Sequence, residues 1–494
     1  MQISKSDYML FLKHPGWLWL KKHDKTKLPI IDDGLQAIFD DGKLFEEYAN
    51  KLFPTAVRLS NNSYDEYLAL PLRTKQELEK GTEIILQGRL QADCITCIPD
   101  VLQKVGENQF DLYEIKSSTE VKDDHVLDLA FQTVVLENAG LNIRKIFVIY
   151  VNKDYVRKGK IDIHQMIVQS EITEQVRDHI EDTKMEITRA LAVIQSPTPP
   201  DYSPRYTGLN ALSEWMAIYE ILNPQAHPHN IYKLARLNPK LIGELEDLGV
   251  KIIADIPNSV KLNPKQQIQI QATKEDKRII NKEKISEFIS RIKYPLYFLD
   301  YETFSTVIPP FDGISPYQQV PFQYSLYAID NPQGELTHRE YLHTVNSNPC
   351  TCLLEQLKKD IGDKGTVLVW YESFEKGRNN ELGEMFPEYA EFLSELNARI
   401  IDLMVPFYNN WFVDKDFFGS ASLKKVFPAL ITESSYKNLA IQEGETASRT
   451  WKELVFDGKY AEKKDELTKQ LLEYCGMDTL AMVQLFKFLQ AEIS

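Results

Sequence analysis

Apolar positions along this chain keep three rhythms in turn. From residue 1 to about 197, helical and strand spacings are mixed. Runs at 98–102 and 110–116 flank a polar loop holding Gly106 and Asn108, which predicts a β-hairpin. Beyond them RKIFVIYVN reads as a buried strand. The stretch SPTPPDYSP then predicts an extended linker. From about 205 to 290 the spacing is helical, with Leu234, Leu237, Leu241, Leu245 and Leu248 on one stripe and Gly249 where a helix would stop. A plain helical spacer is the simpler reading. A helix-hairpin-helix-like module, gripping a nucleic-acid backbone through loop amides, is the other. From Tyr294 a strand-rich pattern begins with a buried run at 296–301 and ends in the amphipathic ELTKQLLEYCGMDTLAMVQLFKFL. The expected organisation is an α/β multidomain chain divided at 1–197, 205–290 and 291–494.

Composition narrows the class. The 494 residues suffice for about three domains, each long enough to bury a core. Hydrophobic residues at 43% and charged residues at 26% exclude wholesale disorder. No run approaches the ~18 uninterrupted apolar residues of a membrane span. MQISKSDYML lacks the apolar core of a signal peptide, so a cytoplasmic location without membrane association is expected. Five cysteines argue against a disulfide scaffold. Cys94 and Cys97 form a CxxC with no second pair near enough to close a zinc site. They read as ordinary thiols, as do Cys350, Cys352 and Cys475. A net charge of −15, from 57 basic and 72 acidic residues, argues against a surface coated for phosphate binding. It leaves a nuclease open, because carboxylate metal sites are acidic by construction. A local basic patch such as Lys21, Lys22, Lys25 and Lys27 can coexist with them.

Two carboxylate constellations carry the candidate chemistry. In IPDVLQKVGENQFDLYEIKSST, alternation puts Glu114 and Lys116 on one face of the second hairpin strand, and pairing brings Asp100 toward Glu114. Two carboxylates with a backbone carbonyl suit Mg²⁺ or Mn²⁺, which prefer oxygen ligands. An adjacent lysine can orient a water bound to such an ion. In LYFLDYETF, Asp300 and Glu302 lie two apart on a buried strand and face the same way. Two buried anions so placed are costly without a cation between them. Glu375 opens a helix in YESFEKG, Asp402 ends an apolar run in ARIIDLM, and Tyr474 and Asp478 share a helical face four residues apart.

The first set resembles the PD-(D/E)XK nuclease superfamily in its Cas4/RecB-like branch. ISKSDYMLFLKHPGWLWL and DGKLFEEYANKLFP are similar to that branch's first two helices, and DDHVLDLAFQTVVLENAG to its glutamine-bearing helix. The resemblance implies a restriction-endonuclease-like fold over most of residues 1–155. It implies Glu46 (or Glu47), Asp100 and Glu114 as metal ligands, with Lys116 and Gln132 in catalytic roles. Asp93 in GRLQAD is the alternative to Asp100. His14 stands at the early cysteine position of Cas4-like iron–sulfur proteins and no cysteines lie between 155 and 230, so no such cluster is expected.

The second set resembles the DEDD, DnaQ-like exonucleases of the ribonuclease H-like fold. The resemblance implies Asp300, Glu302, Glu375 and Asp478 as ligands of Mg²⁺ or Mn²⁺, and Tyr474 as the water-orienting residue of the YxxxD subtype. Asp402 becomes a supporting or alternative ligand. Glu replaces the usual Asp at 375, and Glu473 stands where the histidine subtype would need His. LDYETF, PYQQVPFQYSL, YESFE and EYCGMDT behind a Cas4-like half resemble bacterial proteins of the DUF2779 type. The expectation is a Mg²⁺- or Mn²⁺-dependent nuclease with two phosphodiesterase sites acting on nucleic acid, DNA favoured over RNA, in repair or in defence against foreign nucleic acid. The alternative is a nucleic-acid-binding scaffold with one or both sites inactive.

Overall fold

The computed structural model describes residues 1–30, 32–59, 63–431, 436–458 and 460–493. They form two compact units of mixed α/β structure. One comprises 1–226, 238–240 and 306–317, the other 227–237, 241–305 and 318–494. Among the described residues no helix is long and apolar enough to cross a membrane.

In the first unit, α1 (Lys5–Lys13), α2 (Pro15–His23) and α3 (Asp33–Ala49) precede a six-stranded sheet. Its strands, β1 (Val57–Arg58), β2 (Ile84–Leu86), β3 (Val101–Lys104), β4 (Gln109–Lys116), β5 (Asn142–Val151) and β6 (Ile167–Glu171), lie side by side in chain order. The expected hairpin is β3–β4, with Val101 opposite Tyr113 and Lys104 opposite Phe110. β5 runs parallel to β4 and therefore needs a crossover, which α4 (Asp123–Asn138) supplies. Val126, Leu129, Phe131 and Val135 are among the residues that bury α4 on nearly every side. A capping box starts α1: Ser4 Oγ accepts from the Asp7 N–H, and Asp7 Oδ2 accepts from the Ser4 N–H. That cap fixes Lys5 at the first helical position, facing β4.

The Pro-rich stretch expected as a linker belongs to the first unit. His14 caps α2 by accepting the Gly16 N–H at Nδ1 (2.9 Å), so its proton is on Nε2, which donates to Ser203 O (3.0 Å). Burial pushes His14 down to about 4, so it is neutral at physiological pH. Trp215, on α5 (Leu212–Leu222), stacks on the His14 ring at 3.6 Å and donates its indole N–H to Tyr202 O. The unit therefore closes at residue 226 rather than 197, because an aromatic cluster ties the later segment to α1 and α2. Trp215→Ala is expected to cost about 3–5 kcal/mol. A urea titration showing under about 1 kcal/mol would restore the boundary at 197. Residues 306–317 also complete this unit. Arg157 Nη1 donates to Pro309 O (2.8 Å) and Pro310 O, and Val307 and Ile308 are buried beside Tyr155 and Met166.

The helical stripe expected around 234–248, which lies mostly in the second unit, begins late. Pro239 opens α6 (Pro239–Asp247), so Leu234 and Leu237 fall outside it while Leu241 and Leu245 pack on Ile231 and Leu234. A five-stranded sheet follows: β7 (Leu296–Phe304), β8 (Val320–Ile329), β9 (Thr337–Leu342), β10 (Thr366–Val369) and β11 (Ile400–Asp402). Their order is β9-β8-β7-β10-β11; the pairs among β7, β8 and β9 are antiparallel, and β10 and β11 join in parallel. The β7–β8 register shifts between Glu302 and Thr303, a bulge at the carboxylate-bearing end of β7. Between β10 and β11 runs α7 (Glu372–Met385), and the chain ends on α8 (Lys464–Ile493), whose buried face crosses β7 and β8.

Candidate functional site

The first unit gathers its candidates around the end of β4. Asp100 Oδ2 accepts the Ile115 N–H (2.7 Å), which pins the carboxylate across the hairpin. Gln87 Nε2 donates to both Asp100 Oδ1 (3.0 Å) and Glu46 Oε1 (3.1 Å). Gln87 itself sits at φ +57, a conformation unusual for a residue with a side chain. Glu114 Oε1 accepts from Lys5 Nζ (2.6 Å) and Lys116 Nζ (2.9 Å), and its Oε2 accepts from Gln132 Nε2 (2.7 Å). Asp128 accepts from two of the same donors, Lys116 Nζ at 2.5 Å and Gln132 Nε2 at 3.0 Å, and forms an ion pair with Lys5 Nζ at 3.7 Å.

Glu46, Asp100, Glu114, Lys116 and Gln132 are therefore brought together, whereas Glu47 is exposed on α3 and Asp93 on a turn at φ +49. Burial and the neighbouring Glu114 push Asp100 up to about 7, against the pull of Lys5. Burial would raise Glu114 too, but Lys116 and Lys5 overcome it and hold that carboxyl below its usual range. Burial would lower Lys116, but Glu114 and Asp128 win and keep it protonated. The buried Gln132 Oε1 has no partner among the described residues. That orphan oxygen, on an amide bonded to the Glu114 and Asp128 carboxylates, fits an additional cation or its water.

The second unit's cluster is differently balanced. Asp300 and Glu302 project from one side of β7, and a ligand atom from each lies within 4.8 Å of the other and of Cys475 Sγ. Cys475, Tyr474 and Asp478 come from α8, and Tyr436 donates to Asp478 Oδ1 (2.6 Å). Glu375, in the first turn of α7, is 1% exposed, and its Oε2 has no partner among the described residues. Burial, then the charge of Asp478, raises Asp300; burial, then Asp300, raises Glu302 and Glu375. Asp478 is pushed up to about 6 by burial, moderated by the Tyr436 bond and Lys424. Four carboxylates thus crowd together with little positive charge facing them, and an orphaned oxygen among them fits a divalent ion held mainly through oxygen.

Asp402 spends its oxygens on the backbone, although its charge reaches Glu375. Its carboxylate accepts the N–H groups of Tyr371 (3.0 Å), Glu372 (3.1 Å) and Met404 (2.9 Å), so it caps α7 from the end of β11. The cap holds a turn in which Tyr371 takes φ +78 and ψ +71, at an expected cost on the order of 1–3 kcal/mol for an aromatic residue.

Lys5, Gln87, Asp128, Cys475 and Tyr436 escaped the sequence reading. Asp128 carried a usable signal, since it lies four before Gln132 on one helical face. Cys475 adjoins Tyr474, but an isolated thiol is ordinary core material. Lys5, Gln87 and Tyr436 gave none.

A family model described as a domain of unknown function, DUF2779, matches residues 297–422. That span holds Asp300, Glu302, Glu375 and Asp402 and stops short of Tyr474 and Asp478. Among curated proteins, the chain is similar to an uncharacterized protein of Mycoplasma pneumoniae, the MG366 homolog, at 23% identity over 239 residues. That match covers 45% of this chain and 36% of the relative. It is also similar to uncharacterized protein MG366 of Mycoplasma genitalium, 26% identical over 222 residues, covering 41% of this chain and 33% of the relative. The chain thus spans about a third of the length of the curated relatives it matches. Among solved structures, an alkaline exonuclease from Laribacter hongkongensis aligns with 39% of this chain and 90% of its own at 12% identity, with a TM-score of 0.18.

Proposed function

We propose that the chain is a metal-dependent nuclease with a candidate phosphodiesterase site in each unit, one of PD-(D/E)XK type and one of DEDDy 3′–5′ exonuclease type. The observation that carries the proposal is the second cluster, where Asp300 and Glu302 on β7 meet Tyr474 and Asp478 on α8 with buried Glu375 nearby. The strand order β9-β8-β7-β10-β11, with its antiparallel and parallel pairs, supports the ribonuclease H-like reading. The β3–β4 hairpin, crossover helix α4 and parallel β5 support the PD-(D/E)XK reading of the first unit.

Asp300, Glu302, Glu375 and Asp478 would hold Mg²⁺ or Mn²⁺ in the second unit; Glu46, Asp100 and Glu114 would do so in the first. Such an ion, when bound, lowers the pKa of a water and offsets charge on a phosphate. Tyr474 is held neutral, because burial and the charges of Glu302 and Asp478 raise its hydroxyl above the ordinary range. Its hydroxyl already hydrogen-bonds the Asp478 carboxylate, so it would orient a water beside that contact and would not take its proton. Lys116, kept protonated by Glu114 and Asp128, places positive charge where a scissile phosphate would sit.

A second reading, in which the first unit grips nucleic acid without cutting it, is favoured by one observation. Lys5 and Lys116 already neutralise Glu114 and Asp128, so that cluster demands a cation less strongly than the second. The test is cleavage of end-labelled single- and double-stranded DNA and RNA with Mn²⁺ or Mg²⁺. Metal-dependent shortening from one end is expected. All substrates left intact would overturn the proposal.

A further inference from the structure

We infer that Gln87 is a further ligand of the first unit's metal ion. With the ion bound, its amide oxygen faces the ion between Glu46 and Asp100. Without the ion, the amide turns and its N–H groups hold those two carboxylates. The inference rests on the metal-dependent nuclease reading and adds to it a neutral ligand that sets the affinity of the first site.

Three observations converge. First, Gln87 is strained. Its backbone takes φ +57, where glycine or asparagine rests at little cost and a longer side chain does not. The Gln87 N–H donates to Asp100 O (3.2 Å), and a Cβ on the neighbouring Gly88 would lie 3.0 Å from both Ile85 and Thr74, so the turn is tightly held. Second, this strained residue delivers one bridge. Its Nε2 reaches Asp100 Oδ1 at 3.0 Å and Glu46 Oε1 at 3.1 Å, joining a carboxylate of α3 to one just before β3. Arg58 Nη2 also reaches Glu46 Oε1 (3.3 Å), but from an exposed side chain that solvent screens. Third, the acids alone lie too far apart. Among the described residues, Asp300, Glu302 and Cys475 of the second unit are the one group of three such residues whose ligand atoms all lie within 4.8 Å of one another. Glu46, Asp100 and Glu114 do not converge that closely, and Glu114 already accepts from Lys5, Lys116 and Gln132. A hard cation there needs an oxygen from the gap between Glu46 and Asp100, and Gln87 is the side chain that bridges it.

The chemistry of an amide permits the exchange. A primary amide carries two donors and one acceptor, and its terminal torsion is broad and roughly two-fold, so the ends swap readily. Facing two carboxylates alone, it donates. Facing a cation between them, it presents its oxygen. A carboxylate in the same place would attract the ion more strongly, and without the ion it would repel Glu46 and Asp100. The neutral amide thus keeps the metal-free site together at the cost of some affinity.

The experiment uses the full chain carrying Asp300→Ala, which weakens the second unit's site, and counts bound Mn²⁺ by electron paramagnetic resonance at pH 8. Adding Asp100→Ala to this parent identifies the ion that belongs to the first unit. Gln87→Asn keeps an amide and suits the left-handed backbone, yet it is one methylene too short to bridge. It is expected to hold the first unit's ion about 10- to 100-fold more weakly than the parent. Gln87→Glu is expected to hold that ion about 10-fold more tightly, while melting lower than the parent when metal is absent. A merely structural amide would not move affinity and metal-free stability in opposite directions. Unchanged affinity in both variants, or tighter binding by Gln87→Asn, overturns the inference and leaves the nuclease reading standing. A parent that holds no Mn²⁺ removable by Asp100→Ala overturns the metal reading of the first unit, and this inference with it.

Discussion

Adding Mn²⁺ to the metal-stripped chain at pH 8 is expected to raise the melting temperature of the second unit by about 5–10 °C, and at pH 5 by far less. The sign follows from the carboxylates. Asp300, Glu302, Glu375 and Asp478 all have folded pKa values above those of free carboxyls, for which burial is the leading cause. A group raised in this way binds its proton more tightly folded than unfolded. Its stabilising effect is complete below the unfolded pKa of about 4 and is lost as pH climbs through the folded value. For Asp478 that loss runs up through about pH 6, and the other three lose theirs in the same direction as pH rises.

At pH 8 the metal-stripped unit thus holds crowded anions that a divalent ion relieves, whereas at pH 5 protons compete for the same oxygens. An ion at 100 times its dissociation constant adds about 2.7 kcal/mol, which sets the size of the shift for a unit of this length. Calorimetry with and without Mn²⁺ at the two pH values decides it. Equal shifts at both, or none at pH 8, would mean that the cluster holds no ion. Glu114 behaves oppositely: its folded pKa is lowered, so its contribution is present above the unfolded value and fades in acid.

The second large effect separates the sites. Asp300→Ala is expected to reduce one phosphodiesterase activity at least about a hundredfold, the scale of losing one group that stabilises transition-state charge. Stability without metal should hold or rise, because a buried anion leaves a repulsive cluster. Lys116→Ala should remove the other activity and cost about 1–3 kcal/mol. Glu114 and Asp128 then share the single cation Lys5 beside the neutral Gln132 amide, and a buried charge short of a partner is expensive. The measurements are cleavage rates on each substrate class and urea midpoints for each variant. Wild-type cleavage by the double variant would defeat the nuclease reading and favour the scaffold.

What could be read from sequence was what short-range geometry dictates. Alternation along a strand places Asp300 with Glu302 and Glu114 with Lys116, and the helical repeat places Tyr474 with Asp478. The literal hairpin around Gly106 supplied Asp100. Partners separated by long stretches left no such trace. Lys5 meets Glu114 109 residues away, and nothing periodic links them. The Pro-rich stretch at 196–204 misled for a related reason: local composition says extended, but Trp215 and His14 close a cluster that only the folded chain assembles. Asp402 had the position of a ligand and the company of a helix terminus, and its three N–H donors are what three-dimensional placement adds.

Residues 306–317 complete a unit whose main body ends at 226, and this fixes an order of events during synthesis. A ribosome adding about 5–20 residues per second needs roughly 5–20 s to travel from one to the other. During that interval the nascent first unit waits without Val307 and Ile308 against Tyr155, and with the Arg157 guanidinium unmet by Pro309 and Pro310. Its last piece emerges only after β7, with Asp300 and Glu302, has already left the tunnel's entrance behind it. Slowing translation between codons 226 and 317 would therefore lengthen the exposure of an unfinished core, and chaperone capture should concentrate in that window.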